Sequence, residues 1–598
     1  MNPTDVGNPD FFHRVVDCQW ACPAHTHVPE YIRLIAQGRF TDAYLVNRDS
    51  NVFPGILGRT CDRPCEPACR RSRVDGKPVA ICRLKRVAAD HRGEVKHLLP
   101  KAPDSKNGKK VALIGAGPAS LTVANDLMPL GYHVTVFEKL PRAGGLMRIN
   151  IPSFRLPEEV LDEEIGYITD MGVDVRYNTP VDSLKQLLDS GEYSAVFVGT
   201  GAPRGKELDV PGRKDTAQIF IGIDWLESIH FGHVDSVGKR VLIIGVGNTA
   251  MDCCRSAKRL GATDVKVIAR KTRKYFKASP WELEDAEEEG VEILENLQPI
   301  RFIVDNGKLT GMEFEKFRSE ETPSGLKQEV IGRETIACDT VVLAIGQDNA
   351  FPFIERSIGL EFGKWDMPIV DKRTFMSTRP GVFFGGDAAF GPKNIIWAVE
   401  HGHQAAISIH NYCLGIPLDQ RPRHRVTMTS TKMGLHEWSY SNDYNPVQRQ
   451  KMVHVEMPMR FSKMTIEVET GFTPEQTAAE VERCLNCDVQ TAFNAPACIE
   501  CDACIDICPT DCLTMVRNDE QPALEAALTA PRIEPDQPLF VSAALKQTGR
   551  VMVKDENVCV HCGLCAERCP TYAWDMRKSV IHIPLAGEPV TIPALAGA

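Results

Sequence analysis

The 598-residue chain predicts roughly three to four domains, and its 43% hydrophobic and 25% charged residues are typical of a globular protein. Its formal net charge of −10 argues against nucleic acid and anionic membrane as partners. There is neither an apolar run long enough to span a bilayer nor a secretory signal at the N-terminus, so we expect a cytoplasmic protein that is not inserted in a membrane.

The first hundred residues are rich in cysteine, and the whole chain has 21. Because cytoplasmic thiols stay reduced, this number indicates metal binding rather than disulfides. Helices are predicted at 28–37 and 40–47. The region's six cysteines do not have zinc-finger spacing: Cys18, Cys22, Cys61, Cys65, Cys69 and Cys82. Soft thiolates between short helices suit iron–sulfur clusters, whereas buried structural cysteines are the alternative.

A nucleotide-binding pattern follows a polar, basic linker at 99–110. Strands are predicted at 111–114 and 133–137, on either side of a glycine-rich turn and a helix. The fingerprint consists of Gly115, Gly117, the small Ser120 and, after the second strand, Glu138. In such a unit the glycines bring backbone N–H groups to a pyrophosphate, and the acid accepts from ribose hydroxyls. A βαβ turn without a ligand is the alternative.

A second fingerprint begins at residue 240 and contains Gly245 and Gly247, again between a strand and a helix. The next strand, at 265–269, ends on Arg270 and Lys271 instead of an acid. A base at this position pairs with a 2′-phosphate, whereas an acid binds the ribose 2′-hydroxyl. NADP(H) is therefore favoured over NAD(H). A solvated loop is the alternative interpretation of these bases.

Signals of the first pattern resume after the second, which predicts that the second domain is inserted into the first. A strand at 195–198 ends on Thr200 and Gly201, and Gly386 and Asp387 precede a predicted helix at 394–410. In a flavin site Asp387 would bind the ribityl chain, with the helix N-terminus facing the flavin. Asp387 as a simple helix N-cap is the alternative.

The C-terminal part, after a poorly periodic arm, has two cysteine runs of the form C-x2-C-x2-C-x3-C-P. In bacterial two-cluster ferredoxins the fourth cysteine of each run ligates the other cluster. The expected ligands are Cys498, Cys501, Cys504 and Cys569 for one 4Fe–4S cluster, and Cys559, Cys562, Cys565 and Cys508 for the other. Zinc or disulfides are the alternatives. The long segment between the runs predicts an inserted loop or hairpin around 539–553.

The ordered motifs CPAHTHVPEYIRLI, GRTCDRPCEPAC, GAGPAS, AGGLMRINIPSFRLP, GVGNTAMD and GGDAAFGP resemble the glutamate synthase small-subunit family. This family includes the N-terminal half of dihydropyrimidine dehydrogenase. The resemblance implies FAD, a nicotinamide site and N-terminal 4Fe–4S clusters. Its motifs contain the further cofactor-binding candidates Gly145, Leu146, Arg155 and Asn248.

One departure from the family concerns an R-C-L-x-C motif that relatives usually place just before the counterpart of Cys18. Here this motif lies far downstream, and its cysteines are Cys484 and Cys487. The resemblance therefore implies that the motif has moved in sequence but not in space. We expect Cys484 and Cys487 to join Cys18 and Cys69 around one cluster.

A second departure concerns the other N-terminal cluster, for which the resemblance implies three cysteine ligands: Cys22, Cys61 and Cys65. The relatives' fourth ligand is an amide or carboxylate, and Lys85 stands at the matching position. A protonated lysine is a poor ligand, so Cys82, about one helical turn earlier, is the expected fourth. Sixteen thiols would then hold four clusters. Buried or structural roles are expected for the remaining five: Cys253, Cys254, Cys338, Cys413 and Cys512.

The predicted fold is α/β, with two nested Rossmann-like dinucleotide-binding domains between a helical iron–sulfur domain and an α+β bacterial-type ferredoxin domain. The expected boundaries are 1–100 for the helical domain, 101–204 and 346–415 for the FAD domain, 205–345 for the NAD(P) domain, 416–490 for the arm and 491–598 for the ferredoxin domain. No catalytic side chain is expected, because hydride passes directly between nicotinamide and flavin.

The predicted function is electron exchange between NAD(P)(H) and a partner redox enzyme through FAD and four clusters. The partner would be another subunit of a complex, such as a 2-oxoacid oxidoreductase, or free ferredoxin. No redox-active cysteine pair lies beside the flavin signals, which disfavours a disulfide reductase. The alternatives are electron input to a glutamate synthase, against which the ferredoxin tail argues, and a non-catalytic iron–sulfur wiring subunit.

Overall fold

The computed structural model describes residues 1–6, 8, 16–323, 325–430 and 446–589. The chain forms two compact units. One, called the cysteine unit below, comprises Met1–Leu98, Arg421–Met452 and Gly471–Ala598. The other, called the nucleotide unit, comprises Leu99–Gln420 and Val453–Thr470. Residues 431–445 of the predicted arm lie outside the described residues.

The N-terminal part of the cysteine unit is helical, as its sequence predicts. Its helices are Asp17–Ala21, Val28–Ala36, Phe40–Asn51, Pro54–Thr60, Ser72–Asp75 and Ile81–His91. The second of these is capped by His27, whose side chain accepts from the N–H of Glu30, and Pro29 lies in its first turn. Its buried face shares a core with Phe472 and Val481 from the far end of the chain. Distant segments are therefore packed together by apolar burial.

The nucleotide unit contains fifteen strands among its described residues. They are β1 (Lys110–Ile114), β2 (His133–Phe137), β3 (Asp174–Arg176), β4 (Ala195–Val198), β5 (Arg204–Gly205), β6 (Ile219–Ile221), β7 (Arg240–Ile244), β8 (Asp264–Ile268), β9 (Glu292–Leu294), β10 (Leu297–Asp305), β11 (Lys308–Thr322), β12 (Gly325–Ala337), β13 (Thr340–Leu343), β14 (Gln347–Asp348) and β15 (Val382–Phe384).

Two five-stranded parallel sheets confirm the nested architecture. The first has the order β15-β4-β1-β2-β3, and the second has the order β6-β13-β7-β8-β9. β15 follows the second sheet in the chain but pairs beside β4 in the first, with Val382 opposite Val196. The central strands are buried along nearly their whole length, as expected for parallel sheets.

The helices of the nucleotide unit connect these strands. They are Pro118–Leu127, Leu146–Ile149, Glu158–Thr169, Leu184–Asp189, Gly222–His230, Asn248–Arg259, Pro280–Glu288, Asp387–Phe390, Ile395–Leu414 and Met457–Arg460, with 3-10 turns at Met128–Leu130, Arg273–Tyr275 and Lys364–Asp366. A three-stranded antiparallel sheet, β10-β11-β12, was not predicted. β12 is mostly exposed and polar, so its sequence lacks the alternating apolar pattern of a half-buried strand.

The C-terminal part of the cysteine unit contains two small antiparallel sheets. Their strands are β16 (Arg425–Ser430), β17 (Val489–Phe493), β18 (Leu513–Arg517), β19 (Phe540–Val541), β20 (Arg550–Lys554) and β21 (Trp574–His582). The orders are β16-β21-β17 and β18-β20-β19. The antiparallel pairing of β19 with β20 confirms the hairpin expected around 539–553.

Short helices accompany these two sheets. They are Pro474–Val481, Ala503–Asp506, Gln521–Ala526 and Leu564–Arg568, with a 3-10 turn at Ala495–Ala497. Across the described part of the chain, no helix combines the length and apolar character needed to cross a membrane.

Candidate functional site

The first glycine-rich turn lies in close contact with the loop that follows β4. Gly115 has φ +88°, and a Cβ there would lie 3.0 Å from the carbonyl oxygen of Gly199. A Cβ on Gly199 would in turn lie 2.2 Å from Oγ of Ser120. The helix that starts at Pro118 therefore approaches the sheet closely, as the small residue at position 120 predicts.

Other candidate residues of the first site surround the same turn. A Cβ on Gly145 would lie 3.1 Å from Cα of Gly117, and a Cβ on Gly201 would lie 3.9 Å from Cδ1 of Leu146. A Cβ on Gly386 would lie 3.3 Å from the Ala119 Cβ. Several backbones thus converge with little side-chain bulk between them, which suits a bound pyrophosphate.

Unpaired polar atoms in this cradle fit a dinucleotide. Oγ of Ser120 and Oγ1 of Thr200 are buried and have no hydrogen-bond partner among the described residues. Buried hydroxyls are normally satisfied, so two orphans beside a glycine-rich turn indicate a polar ligand. The residues of the first site therefore fit FAD.

Glu138 has a structural role that its sequence position does not reveal. Its Oε2 accepts from the N–H of Ala116 at 2.7 Å, and its Oε1 accepts from the N–H of Leu140 at 2.8 Å. Burial raises the pKa of the carboxyl group, while these N–H donors lower it. Glu138 thus holds the turn in place, and each oxygen keeps a second lone pair that a ribose hydroxyl could use.

Asp387 is mostly buried, and burial raises its pKa to about 6. Its Oδ1 accepts from the N–H of Lys393 at 2.9 Å, and its carbonyl oxygen accepts from Nδ2 of Asn349 at 2.8 Å. The cap of the long helix Ile395–Leu414 is Asn394, not Asp387. The simple N-cap interpretation of Asp387 is therefore wrong for that helix.

The second fingerprint has the same geometry. Gly245 has φ +122°, and a Cβ there would lie 2.2 Å from the carbonyl oxygen of Ala344, whereas a Cβ on Gly247 would meet nothing within 4 Å. The space over Gly247, at the start of the helix Asn248–Arg259, is therefore open. Oδ1 of Asn248 accepts from the N–H of Ser279 at 2.8 Å and so orders the adjoining loop.

The basic residues after β8 divide into two groups. Arg273 forms a bidentate ion pair with Glu287. Arg270 and Lys271 are exposed, and neither forms an ion pair with any residue that the structure describes. These two cations are thus available to an anionic ligand such as a 2′-phosphate.

Arg155 lies in a buried ion-pair network. Its Nη1 lies 2.6 Å from Oδ1 of Asp252, and its Nη2 contacts Glu282. Burial lowers its pKa, but the two carboxylates outweigh that effect and raise it. Its guanidinium therefore connects the loop after β2 to two helices of the second dinucleotide domain. The sequence could not reveal this pairing, because both partners lie about a hundred residues away.

The structure brings the displaced R-C-L-x-C motif to the N-terminal cysteines. Cys18, Cys69, Cys484 and Cys487 line one small cavity. Burial raises the pKa of the Cys18 thiol, and the charges of the other three thiolates raise it further. Four soft thiolates around one cavity fit a 4Fe–4S cluster. We call this set site 1.

The displaced motif is held by a buried arginine. Arg483 is fully buried, and its Nη1 lies 2.9 Å from Oδ2 of Asp75. Its backbone carbonyl oxygen accepts from Nη1 of Arg71 at 3.2 Å, and Asp75 also pairs with Arg71 at 2.9 Å. These reciprocal contacts connect residue 483 to the chain directly after Cys69.

A second group of thiols, called site 2, comprises Cys22, Cys61, Cys65 and Cys82. All four thiolates act on Lys85, whose ammonium is buried beside them. Burial lowers the pKa of Lys85, but the thiolates outweigh burial and raise it. The Cys82 thiol donates to the carbonyl oxygen of Leu57 at 3.3 Å. Both candidates for the fourth position thus face the site, and only the thiol has a lone pair to offer iron when Lys85 is charged.

The structure groups the cysteines of the two ferredoxin runs, and the crossed ligand sets stay a prediction. Cys508, Cys559, Cys562 and Cys565 line one small cavity, which we call the inner site. The other four cysteines form the outer site: Cys498, Cys501, Cys504 and Cys569. Burial raises the pKa of Cys504 to about 11, with the thiolates of Cys498 and Cys569 contributing.

All 21 cysteines lie among the described residues and none of them forms a disulfide; the five without a predicted cluster role are buried. Cys512 is closer to the chemistry than its sequence position suggested. It lines the inner-site cavity, and its sulfur lies 3.5 Å from that of Cys508. The hydrogen bond between the two thiols is the main reason that the pKa of Cys508 is lowered to about 6.

Family models match three parts of the chain. The model described as "Pyridine nucleotide-disulphide oxidoreductase" matches residues 109–402. A dihydropyrimidine dehydrogenase domain II, 4Fe-4S cluster model matches residues 14–97. A 4Fe-4S dicluster domain model matches residues 497–573. Their order confirms the resemblance drawn from the motifs.

Named relatives cover most of the chain. NADPH-Fe(3+) oxidoreductase subunit beta of Geobacter sulfurreducens is 34% identical over 523 residues, covering 81% of this chain and 77% of the relative. NADP(+)-dependent formate dehydrogenase subunit beta of Moorella thermoacetica is 36% identical over 503 residues, which cover 79% of this chain and 70% of the relative. The small chain of glutamate synthase (NADPH) from Azospirillum brasilense is 34% identical, covering 66% and 86%.

These matches agree with the nested sheets and the grouped thiols. The chain therefore belongs to the pyridine nucleotide-disulphide oxidoreductase family, in the group with iron–sulfur domains, and is an electron-transfer oxidoreductase that uses FAD, NADP and 4Fe–4S clusters.

Proposed function

We propose that the chain is the NADP-reducing or NADPH-oxidising subunit of a larger complex, and that it carries four 4Fe–4S clusters. Their ligands are the thiols of site 1, site 2, the inner site and the outer site. The observation that carries this proposal is the grouping of Cys484 and Cys487 with Cys18 and Cys69. It supplies two thiols that the N-terminal region by itself lacks.

The residues of the nucleotide unit bind and orient the two dinucleotides. The turn at Gly115 and Gly117 holds the FAD pyrophosphate, and Asp387 binds the ribityl chain. Gly245 and Gly247 hold the second pyrophosphate, while Arg270 and Lys271 select NADP(H) through its 2′-phosphate. When bound, FAD would supply hydride exchange with nicotinamide, and the clusters would supply single-electron exchange.

The outer site is the proposed point of contact with the partner. Cys501 is exposed there. Apolar side chains next to these cysteines are also exposed: Ile499 at 46% and Tyr572 at 72%. Such a surface beside a redox group suits a docked protein. We propose a cytoplasmic 2-oxoacid oxidoreductase, or free ferredoxin, as the partner, and the partner's potential would set the direction of electron flow.

The test uses the full chain with its cofactors, purified without oxygen. NADPH should bleach both the flavin and the iron–sulfur absorbance, and it should do so faster than NADH. The variant Arg270→Ala with Lys271→Ala should lose the preference for NADPH while reacting normally with NADH. Lys274→Ala, an exposed cation paired with Glu321, is the matched control. The proposal is wrong if neither nucleotide bleaches the chain.

Co-purification identifies the partner. A 2-oxoacid oxidoreductase that reduces the chain with its 2-oxoacid would support the proposed complex. Co-purification with a glutamate synthase large subunit would instead favour the alternative partner, because the Azospirillum relative is a glutamate synthase small chain. That relative's match covers 66% of this chain, so a partner of this kind would leave the ferredoxin segment unexplained.

A further inference from the structure

The FAD and NADP domains of the nucleotide unit are joined by two adjacent crossings of the chain. The chain leaves the FAD domain through β5 and returns to it through β14, and these two strands pair with Gly205 opposite Gln347. The N–H of Lys206 donates to the carbonyl oxygen of Gly346 at 3.0 Å. A short ribbon of this kind can act as a hinge, and domains joined by a hinge rotate unless further contacts hold them.

A loop of the FAD domain reaches the helices of the NADP domain. Nη1 of Arg155, in this loop, lies 2.6 Å from Oδ1 of Asp252. The preceding residue, Phe154, is fully buried, and the guanidinium carbon of Arg259 lies 3.8 Å from the centroid of its ring. Asp252 and Arg259 lie on the same helix of the NADP domain. These contacts connect the two domains directly.

A third segment, Val453–Thr470, joins this contact and is called the clasp below. It belongs to the nucleotide unit, although the residues on both sides of it in the chain belong to the cysteine unit. The two ends of the clasp pair with each other. The N–H of Thr470 donates to the carbonyl oxygen of Val453 at 2.9 Å, and the N–H of Val455 donates to that of Val468 at 2.9 Å. The clasp is therefore a closed loop with its own backbone pairing.

The clasp contacts the FAD domain through its backbone. Val468 is buried, and its N–H donates to the carbonyl oxygen of Phe154 at 2.9 Å. The ring of Phe461, also in the clasp, has its centroid 5.4 Å from the guanidinium carbon of Arg259. Arg259 therefore contacts one aromatic ring from the FAD domain and one from the clasp. A cation on an aromatic face is held more strongly when it is shielded from water, as this side chain is.

The clasp contacts the NADP domain through an ion pair. Arg460 is buried, and its Nη1 lies 3.0 Å from Oε2 of Glu288 and 3.9 Å from Oε1 of Glu289. Its Nε donates to the carbonyl oxygen of Val455 at 2.7 Å. Glu289 also pairs with Arg259 at 2.6 Å. The guanidinium of Arg460 thus ties the backbone of the clasp to acidic side chains of the NADP domain.

We propose that the clasp holds the FAD and NADP domains in one relative orientation about the β5-β14 hinge. Val468 binds it to the FAD domain, Arg460 binds it to the NADP domain, and Arg259 contacts rings from both sides. The clasp is a positioning element, because it fixes how the glycine turns at Gly117 and Gly247 face each other, and hydride transfer depends on that geometry. The inference goes beyond the proposed function and holds for any partner and any set of cluster ligands.

The test measures the distance between the two domains. Spin labels are carried by noncanonical amino acids, which spare the cysteines, at two exposed positions: Asp182 in the FAD domain and Glu295 in the NADP domain. Pulsed electron paramagnetic resonance on the full chain with its cofactors, with the clusters oxidised, should give one narrow distance. In Arg460→Met with Phe461→Ala the distribution should broaden or gain a second maximum, because the clasp loses its ion pair and its ring contact.

Lys463→Met is the matched control. Lys463 lies in the same segment, is exposed, and forms no ion pair with any residue in the described part of the chain. This variant should keep the native distance, as should Arg460→Lys with Phe461→Tyr, which retains the charge and the ring. A second readout is the rate of flavin bleaching at saturating NADPH. It should fall several-fold in the loosened double variant alone, while the NADPH concentration for half-maximal rate stays native, because the turn at Gly247 is untouched.

Two results would overturn the clasp. One is an Arg460→Met with Phe461→Ala variant that keeps the single native distance, since the remaining contacts, such as that of Arg155, would then be sufficient. The other needs no stable variant: two separate distances in otherwise native protein with its cofactors would show that the domains already rotate. Either result leaves the proposed function in place, which fails instead if NADPH and NADH both leave the native chain unbleached.

Discussion

The two cysteine-rich regions of the cysteine unit are assembled differently. The ferredoxin segment draws its eight proposed ligands from two short runs that each end in Cys-Pro, at Cys508 and Cys569. Site 1 draws four thiols from three segments, at positions 18, 69 and 484–487. The first arrangement can be recognised from spacing. The second depends on how the chain packs.

This difference shows what keeps each site together. Within a run, the backbone between neighbouring cysteines limits how far their sulfurs can separate. In site 1 the backbone sets no such limit between Cys69 and Cys484, so tertiary contacts must hold their sulfurs together. The buried pairing of Arg483 with Asp75 and the shared core containing Phe472 and Val481 provide these contacts.

The largest expected effect tests whether the distant thiols are ligands. Cys484→Ser with Cys487→Ser should remove one of the four proposed clusters, because two of the four thiols of site 1 are lost. Iron and sulfide analysis per chain should fall by about a quarter of the native value. Cys413→Ser, a buried thiol outside the four sites, should retain full iron. Unchanged iron in the double variant would mean that Cys484 and Cys487 are not cluster ligands.

Site 2 provides a second test, between a thiol and an ammonium three residues apart. Cys82→Ser should lose iron from one cluster, whereas Lys85→Met should keep its iron, because a charged ammonium cannot coordinate. Iron content and the electron paramagnetic resonance signal distinguish the two variants. The reverse pattern, with iron lost in Lys85→Met alone, would assign the fourth position to Lys85.

Arg483 tests the tertiary support of site 1. Arg483→Met should destabilise the cysteine unit by about 3–5 kcal/mol, because it removes the cation beside the fully buried carboxylate of Glu480, which lies 3.3 Å from Nε of Arg483. Arg39→Met removes an exposed pair with Asp42 and should cost less than about 1 kcal/mol. Urea unfolding of the holoprotein, followed by cluster absorbance, compares them. Equal midpoints for the two variants would mean that the distant motif needs no such support.

The smallest expected effect concerns the extra thiol of the inner site. Cys512→Ala should keep all clusters and cost about 1 kcal/mol through a small cavity, because the two runs together already supply the four ligands of the inner site. Cys508→Ala is the matched comparison and should lose the inner cluster. Iron content after gel filtration measures both. Loss of iron in Cys512→Ala would show that the four cysteines of the inner site do not hold a cluster without Cys512.

Much of the architecture could be predicted from local pattern. The strands at 133–137 and 195–198 begin and end where the sequence places them, since buried parallel strands are continuous apolar runs. The return of β15 to the first sheet follows from the order of the glycine turns. The polar sheet β10-β11-β12 was missed, because its exposed strand β12 lacks an apolar alternation.

The sites divide in the same way. The glycine turns and the crossed grouping predicted for the ferredoxin cysteines follow from spacing, which the geometry of a turn or a short helix dictates. The ion pairs of Arg155 and the turn-holding contacts of Glu138 were not foreseen. Their partners are chosen by proximity in space, and a single sequence does not report that.

The sequence by itself determined the family, the two dinucleotide turns and the cysteine runs, because each depends on residues within a few turns of chain. It also proposed, through a motif in an unusual place, that Cys484 and Cys487 belong with Cys18. Only the tertiary structure decided that these thiols meet and that Lys85 is buried against site 2. Burial of apolar surface and of paired charges brings such distant segments together, and no local spacing encodes it.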